Sequence, residues 1–171
     1  MTYKYNDKKT ACCRDKETCQ YRSEEARLAK GEEVGFARGE GLHPHHCICI
    51  LNYEGKGYSE EFNENMGRIV KSLASDTVIK LSCTPDCVCS ACKNRVEVSG
   101  KDRIGCSFAE KVSRYDSALL KVIGFSEGDE VEWGELRKRV MTTVMNKKSS
   151  LANICGDCEW FGICSKKCGR L

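Results

Sequence analysis

Apolar residues return every three to four positions in three stretches of the chain, and each stretch predicts a helix. Phe62, Met66, Ile69, Val70 and Leu73 follow Ser59-Glu60-Glu61, where a serine hydroxyl can cap the first turn and carboxylates meet the positive helix end. Val112, Tyr115, Leu119 and Ile123 form the inner face of a second helix, from about Phe108 to a stop at Gly124. Trp133, Leu136, Val140 and Val144 mark a third, from about Glu132 to Asn146, with Arg137, Lys138 and Arg139 towards solvent. Thr77 to Ser82 is short, β-branched and partly alternating, which predicts a strand, and Arg95 to Gly100 returns as a second strand before a turn at Lys101 to Gly105. The run Cys47-Ile48-Cys49-Ile50-Leu51 reads as a buried element, helix or strand. Asn52 to Tyr58 is a turn in which Gly55 and Gly57 supply positive φ or close backbone approach.

These elements predict an α+β fold, a small Cys-rich metal-binding domain with about three amphipathic helices and a short sheet over residues 41–171. Residues 1–40 are charged, poor in aliphatics and dotted with glycine, so they read as an arm carrying one short helix around Ser23 to Lys30 and the extra thiols Cys12, Cys13 and Cys19. The polar beginning lacks the apolar run of a secretory signal, and no stretch approaches the ~18 apolar residues of a membrane span. A cytoplasmic, reducing setting is therefore expected, with no membrane partner. The net charge of +3 comes from interleaved lysines and acids, an ordinary solvated surface that argues against nucleic acid.

Fourteen cysteines in 171 residues change this picture. In a reducing compartment they predict metal or redox chemistry sooner than structural disulfides. Cys83-Thr-Pro-Asp-Cys87-Val-Cys89-Ser-Ala-Cys92 places four thiols in one short loop, and Cys155-Gly-Asp-Cys158-Glu-Trp-Phe-Gly-Ile-Cys164-Ser-Lys-Lys-Cys168 closes the chain with a second group. Thiolates are soft ligands that select zinc, Cu(I) or iron-sulfur clusters. Two Cys-x-x-Cys pairs separated by a foldable helical insert predict that Cys89 and Cys92 meet Cys155 and Cys158, with Trp160, Phe161 and Ile163 as apolar cover. All three histidines fall in His43-Pro44-His45-His46, directly before Cys47-Ile48-Cys49. His45 and Cys49 share a face in either a helix or a strand. His45 and His46 are then metal ligands, or they brace the buried element through a ring nitrogen bonded to backbone.

His45-His46-x-x-Cys49, Tyr53-x-Gly55-x-Gly57-Tyr58-Ser59 with Phe62 and Asn65-Met66, Cys89-x-x-Cys92, Cys106, and Cys155-x-x-Cys158-Glu159-Trp160 ending at Cys164 together resemble domain of unknown function 1284. That family comprises small Cys-rich bacterial and archaeal proteins suspected of binding iron-sulfur clusters. The resemblance spans about residues 42 to 165 and implies Cys49, Cys89, Cys92, Cys106, Cys155, Cys158 and Cys164 as ligands, without implying a reaction. Cys12, Cys13, Cys19, Cys47, Cys83, Cys87 and Cys168 are additional to its pattern. Seven thiols and one histidine would serve two four-ligand centres, whereas one zinc would use four. That count favours an iron-sulfur cluster, [4Fe-4S] in type, in an electron-transfer or redox-sensing protein with a redox partner. A structural zinc module for protein interaction is the alternative. A third reading is a cluster-dependent enzyme with His45 or His46 as acid/base and Tyr58 and Lys56 near the substrate, which alone predicts a pocket beside the histidines.

Overall fold

The computed structural model describes residues 36, 39–98 and 103–170. The expected N-terminal helix at 23–30 and Cys12, Cys13 and Cys19 lie outside the described residues. Among the described residues, two sheets and six helices make an α+β fold. In the first sheet a central strand β2 (Val78–Leu81) pairs with β1 (Glu40–Leu42) in parallel and with β5 (Glu130–Glu132) in antiparallel fashion. Leu42 lies opposite Leu81 and Val131 opposite Ile79. Ile79 and Leu81 are buried while Lys80 between them is exposed, the alternation expected of a half-buried strand. The second sheet is the hairpin of β3 (Arg95–Val98) and β4 (Arg103–Cys106).

The parallel pairing of β1 with β2 decides what happens next. Parallel strands end at the same edge of a sheet, so the chain leaving Leu42 and the chain leaving Leu81 emerge side by side. The first becomes His43 and helix α1 (Pro44–Asn52); the second becomes the Cys83–Cys92 loop, closed by a single 3-10 turn at Cys89–Ala91. The histidines and the first thiol cluster are neighbours for this reason.

Helix α1 settles the open reading of the Cys47–Leu51 run. Pro44 starts it, at the position where a missing N–H is harmless. Cys47, Ile48 and Ile50 enter the core, as expected of a helix that is apolar on most sides. It packs against helix α2 (Glu60–Ser72), helix α3 (Ala109–Ile123), helix α4 (Trp133–Thr143) and helix α6 (Phe161–Cys164). Ser59 Oγ accepts the Phe62 amide at 3.1 Å to cap α2, and Gly124 ends α3 with φ 73°, both as the sequence predicts. Helix α5 (Lys148–Cys155) carries the chain into the C-terminal thiols. The core is one cluster in which Leu42, Ile48, Leu81, Leu119, Leu136, Val140 and Leu151 are almost fully buried.

The described residues hold more helices than the three expected. The additional ones, α1, α5 and α6, have 9, 8 and 4 residues, so a 3.6-residue stripe has little room to show. Strands β1 and β5 have three residues each, too few for a period of two to be read. Strand β4 occupies part of the expected Lys101 to Gly105 turn. Among the described residues no helix is long and apolar enough to cross a membrane.

Candidate metal centre

A cavity of about 160 Å³ lies between α1, α3, the Cys83–Cys92 loop and the C-terminal segment. Six of the seven thiols in the expected ligand set line it: Cys49, Cys89, Cys92, Cys106, Cys158 and Cys164. His43, His45 and His46 line it too, as do Lys56 and Tyr58. His45 and Cys49 face it together from α1, as their four-residue spacing requires. Cys155 is buried just behind, with its Sγ 3.7 Å from the Leu151 carbonyl oxygen.

The thiols divide into two groups. Cys155, Cys158 and Cys164 are close enough to raise the Cys49 pKa, and Cys158 and Cys164 raise that of Cys155. Burial is the larger cause and these neighbours add to it, lifting Cys155 to about 12 and Cys164 to about 11. On the other side Cys89 is shifted up by burial, by Asp86 and by Cys92, and Cys92 by burial and by Cys106. The expected quartet of Cys89, Cys92, Cys155 and Cys158 is thus drawn from both groups, with Cys49 and Cys164 beside one pair and Cys106 beside the other. Tyr58 stands between the groups and feels Cys158 and Cys92 alike, after burial, which pushes its pKa up to about 12. Cys47 is buried in the core, and Cys83, Cys87 and Cys168 do not line the cavity.

Three cysteines receive a backbone amide from two residues further on. The Phe108 amide donates to Cys106 Sγ at 3.4 Å, and the amides of Asn94 and Trp160 do the same for Cys92 and Cys158. Such N–H to sulfur bonds favour the thiolate, the form that binds metal. The Cys155–Cys158 loop is also tied to α3: Asp157 accepts the Tyr115 hydroxyl and the Arg114 guanidinium, each at 2.7 Å, and its backbone carbonyl accepts Lys111 Nζ at 2.8 Å. Those two side-chain bonds hold the Asp157 carboxyl down at about 2. Asn65 on α2 donates to the Cys87 carbonyl at 2.8 Å and steadies the other loop.

The histidines bond to carboxylates and not to backbone carbonyls. His43 Nδ1 and His45 Nδ1 lie 2.7 Å from the two oxygens of Asp116, and His46 Nδ1 lies 2.7 Å from Asp86 Oδ2. Asp116 also accepts the His45 amide at 2.9 Å. Asp86 accepts the amides of His43, Val88 and Cys89 at 2.7, 2.9 and 3.1 Å. Burial opposes ionisation of both aspartates, but these donors and the imidazoles outweigh it and hold both pKa values well below the usual carboxylate range. An ionised carboxylate only accepts. Each Nδ1 therefore carries the proton, and in a neutral ring the lone pair is left on Nε2. His45 is kept neutral chiefly by burial and then by the proximity of His46, with Asp116 pulling the other way.

His43, Asp86 and Asp116 join the cluster beside the cavity without having stood out as candidates in the sequence. Asp116 had a visible signal: it falls on the apolar stripe of α3, three before Leu119 and four after Val112, where a charge needs a buried partner. Asp86 had none beyond its place inside the Cys83–Cys92 loop.

A family profile described as "Protein of unknown function (DUF1284)" matches residues 57–164, well over half of the chain. The matched span contains Cys89, Cys92, Cys106, Cys155, Cys158 and Cys164, along with Asp86 and Asp116; the histidines and Cys49 precede it. No curated protein and no solved structure matches the chain.

Proposed function

The chain belongs to the DUF1284 family of unknown function, and from that premise we propose that it is an iron-sulfur protein. Thiolates of Cys49, Cys89, Cys92, Cys106, Cys155, Cys158 and Cys164 hold one or two clusters, [4Fe-4S] in type. The observation that carries this reading is the gathering of six of these thiols around one cavity. The donor set fits: soft sulfur ligands, more of them than one structural zinc takes, and amides aimed at the sulfurs of Cys92, Cys106 and Cys158. When bound, the cluster would supply one-electron chemistry. The chain's own residues would set its potential: amide-to-sulfur bonds favour the reduced form, while the apolar walls of Val88, Met66, Ile163 and Trp160 limit solvent. The role is electron transfer or redox sensing with a protein partner in the cytoplasm.

The test is the absorption spectrum of protein purified without oxygen, with iron, sulfide and zinc quantified on the same sample. A brown protein with matching iron and sulfide is expected, and replacing Cys158 with serine should lower both together. A colourless protein holding stoichiometric zinc overturns the reading in favour of a structural zinc module. A second reading, a cluster-dependent enzyme, is favoured by the presence of His45, His46, Lys56 and Tyr58 on the wall of the same cavity. It requires a small molecule to bind there and to be lost with His46→Gln while iron and sulfide stay constant.

A further inference from the structure

We propose that the histidine cluster is a second metal site of a different kind: one divalent transition-metal ion held by Nε2 of His43, His45 and His46, with its remaining position open to the cavity. No thiolate is among its ligands, although Cys89 lies within 4.8 Å of His46 and Asp86.

Four observations lead there. First, the three rings are gathered but not stacked: their centroids lie 5.2, 5.3 and 4.2 Å apart at interplanar angles of 53°, 81° and 50°. With metal–nitrogen bonds of about 2.0–2.1 Å, three imidazoles on one ion hold their centroids about 5.2 Å apart at tetrahedral angles and about 4.5 Å apart at right angles. The observed separations lie close to that range. Second, every Nδ1 is occupied by a carboxylate, the arrangement by which metal-bound histidines are oriented and their free nitrogen made more basic. Third, no Nε2 of the three rings bonds to another described residue, although His43 is only 5% exposed. All three rings line the cavity, and a buried ring nitrogen without a partner calls for one. Fourth, Asp86 and Asp116 are 1% and 0% exposed. Buried carboxylates bonded to Nδ1 of each ring hold the rings in a fixed orientation.

The carboxylates themselves are poor candidates for ligands. His43, His45 and Asp116 do lie within ligand distance of one another, as do His46, Asp86 and Cys89. Yet the aspartate oxygens in both groups already accept N–H donors. Metal binding there would displace those bonds, whereas binding at Nε2 displaces none. Three imidazole nitrogens suit zinc, iron, nickel or copper, and a three-histidine site with an open position suits an ion that binds water or a small oxyanion.

The test adds Co²⁺ to the full-length protein and reads bound cobalt, its absorption spectrum, iron and sulfide together. The wild type should take one cobalt without a sulfur-to-metal charge-transfer band. His46→Gln and His45→Gln should lose that cobalt with iron and sulfide unchanged, while Cys158→Ser should keep it. Because His43 is the most buried of the three, Asp116→Asn provides a variant with all ligands intact, and weakening by about 10- to 100-fold is expected as the tautomer is released. Unchanged cobalt affinity in the histidine variants overturns the proposal. So does a charge-transfer band that disappears with Cys89→Ser, or a wild type that takes no cobalt. Loss of the iron-sulfur reading would show separately, in the iron and sulfide values.

Discussion

Replacing Asp116 with asparagine tests the architecture that fixes the histidines. The side chain is fully buried and accepts three bonds, from His43 Nδ1 and His45 Nδ1 at 2.7 Å and from the His45 amide at 2.9 Å. Asparagine keeps the shape, loses the charge and puts an NH₂ donor where one oxygen stood. If its oxygen stays on the His45 side, two charge-assisted bonds become neutral ones, at a loss of roughly 1 kcal/mol each, and the NH₂ then faces His43 Nδ1. His43 must move its proton to Nε2 or leave two donors opposed, which adds about 1–2 kcal/mol. Relief of a buried charge offsets part of this, so the net destabilisation is about 2–4 kcal/mol. In a domain of this size that corresponds to a fall of roughly 5–15 °C in Tm. The assay is denaturant and thermal unfolding at neutral pH and equal metal loading, with ring ¹⁵N shifts reporting the His43 tautomer. Stability equal to or above wild type, together with an unchanged His43 tautomer, would refute the reasoning.

The depressed Asp86 and Asp116 pKa values also predict the acid limb of stability. Their contribution is fully present above the unfolded value of about 3.9 and is lost as pH falls through the lower folded values, because the unfolded chain takes up protons that the fold refuses. His45, held neutral, acts in the same direction below about 6.5, so unfolding free energy measured against pH should decline in two stages on acidification. Gly57→Ala should destabilise by about 1–3 kcal/mol, since a Cβ there runs into the Phe62 ring beside the cavity. Urea unfolding checks this, and Gly67→Ala, where nothing lies within 4 Å of the added Cβ, is the contrasting variant with no such loss. Leu136→Ala, emptying a fully buried position on α4, should lower stability by about 2–5 kcal/mol without altering iron or sulfide per folded molecule.

The sequence by itself determined the scaffold and the chemistry of the donors. Phe62, Met66 and Ile69, then Tyr115, Leu119 and Ile123, then Trp133, Leu136 and Val140 are buried as their helical spacing requires. His45 and Cys49 share a face because four residues span about one turn. The turn glycines divide between the two roles offered: Gly55 adopts a φ of 75°, and Gly57 approaches the Phe62 ring. Periodicity describes one element at a time, however, and says nothing about which loops lie side by side. Only the parallel pairing of β1 with β2 set the histidines against the Cys83–Cys92 loop, so that Asp86 accepts from His43 and His46. Only the packing of α3 on α1 placed Asp116 under His43 and His45. The division of the thiols, Cys49 with Cys155, Cys158 and Cys164, and Cys89 with Cys92 and Cys106, likewise depends on contacts between residues far apart in the chain. Local spacing determines which residues share a face; the burial of charge against distant partners determines which of them form a site.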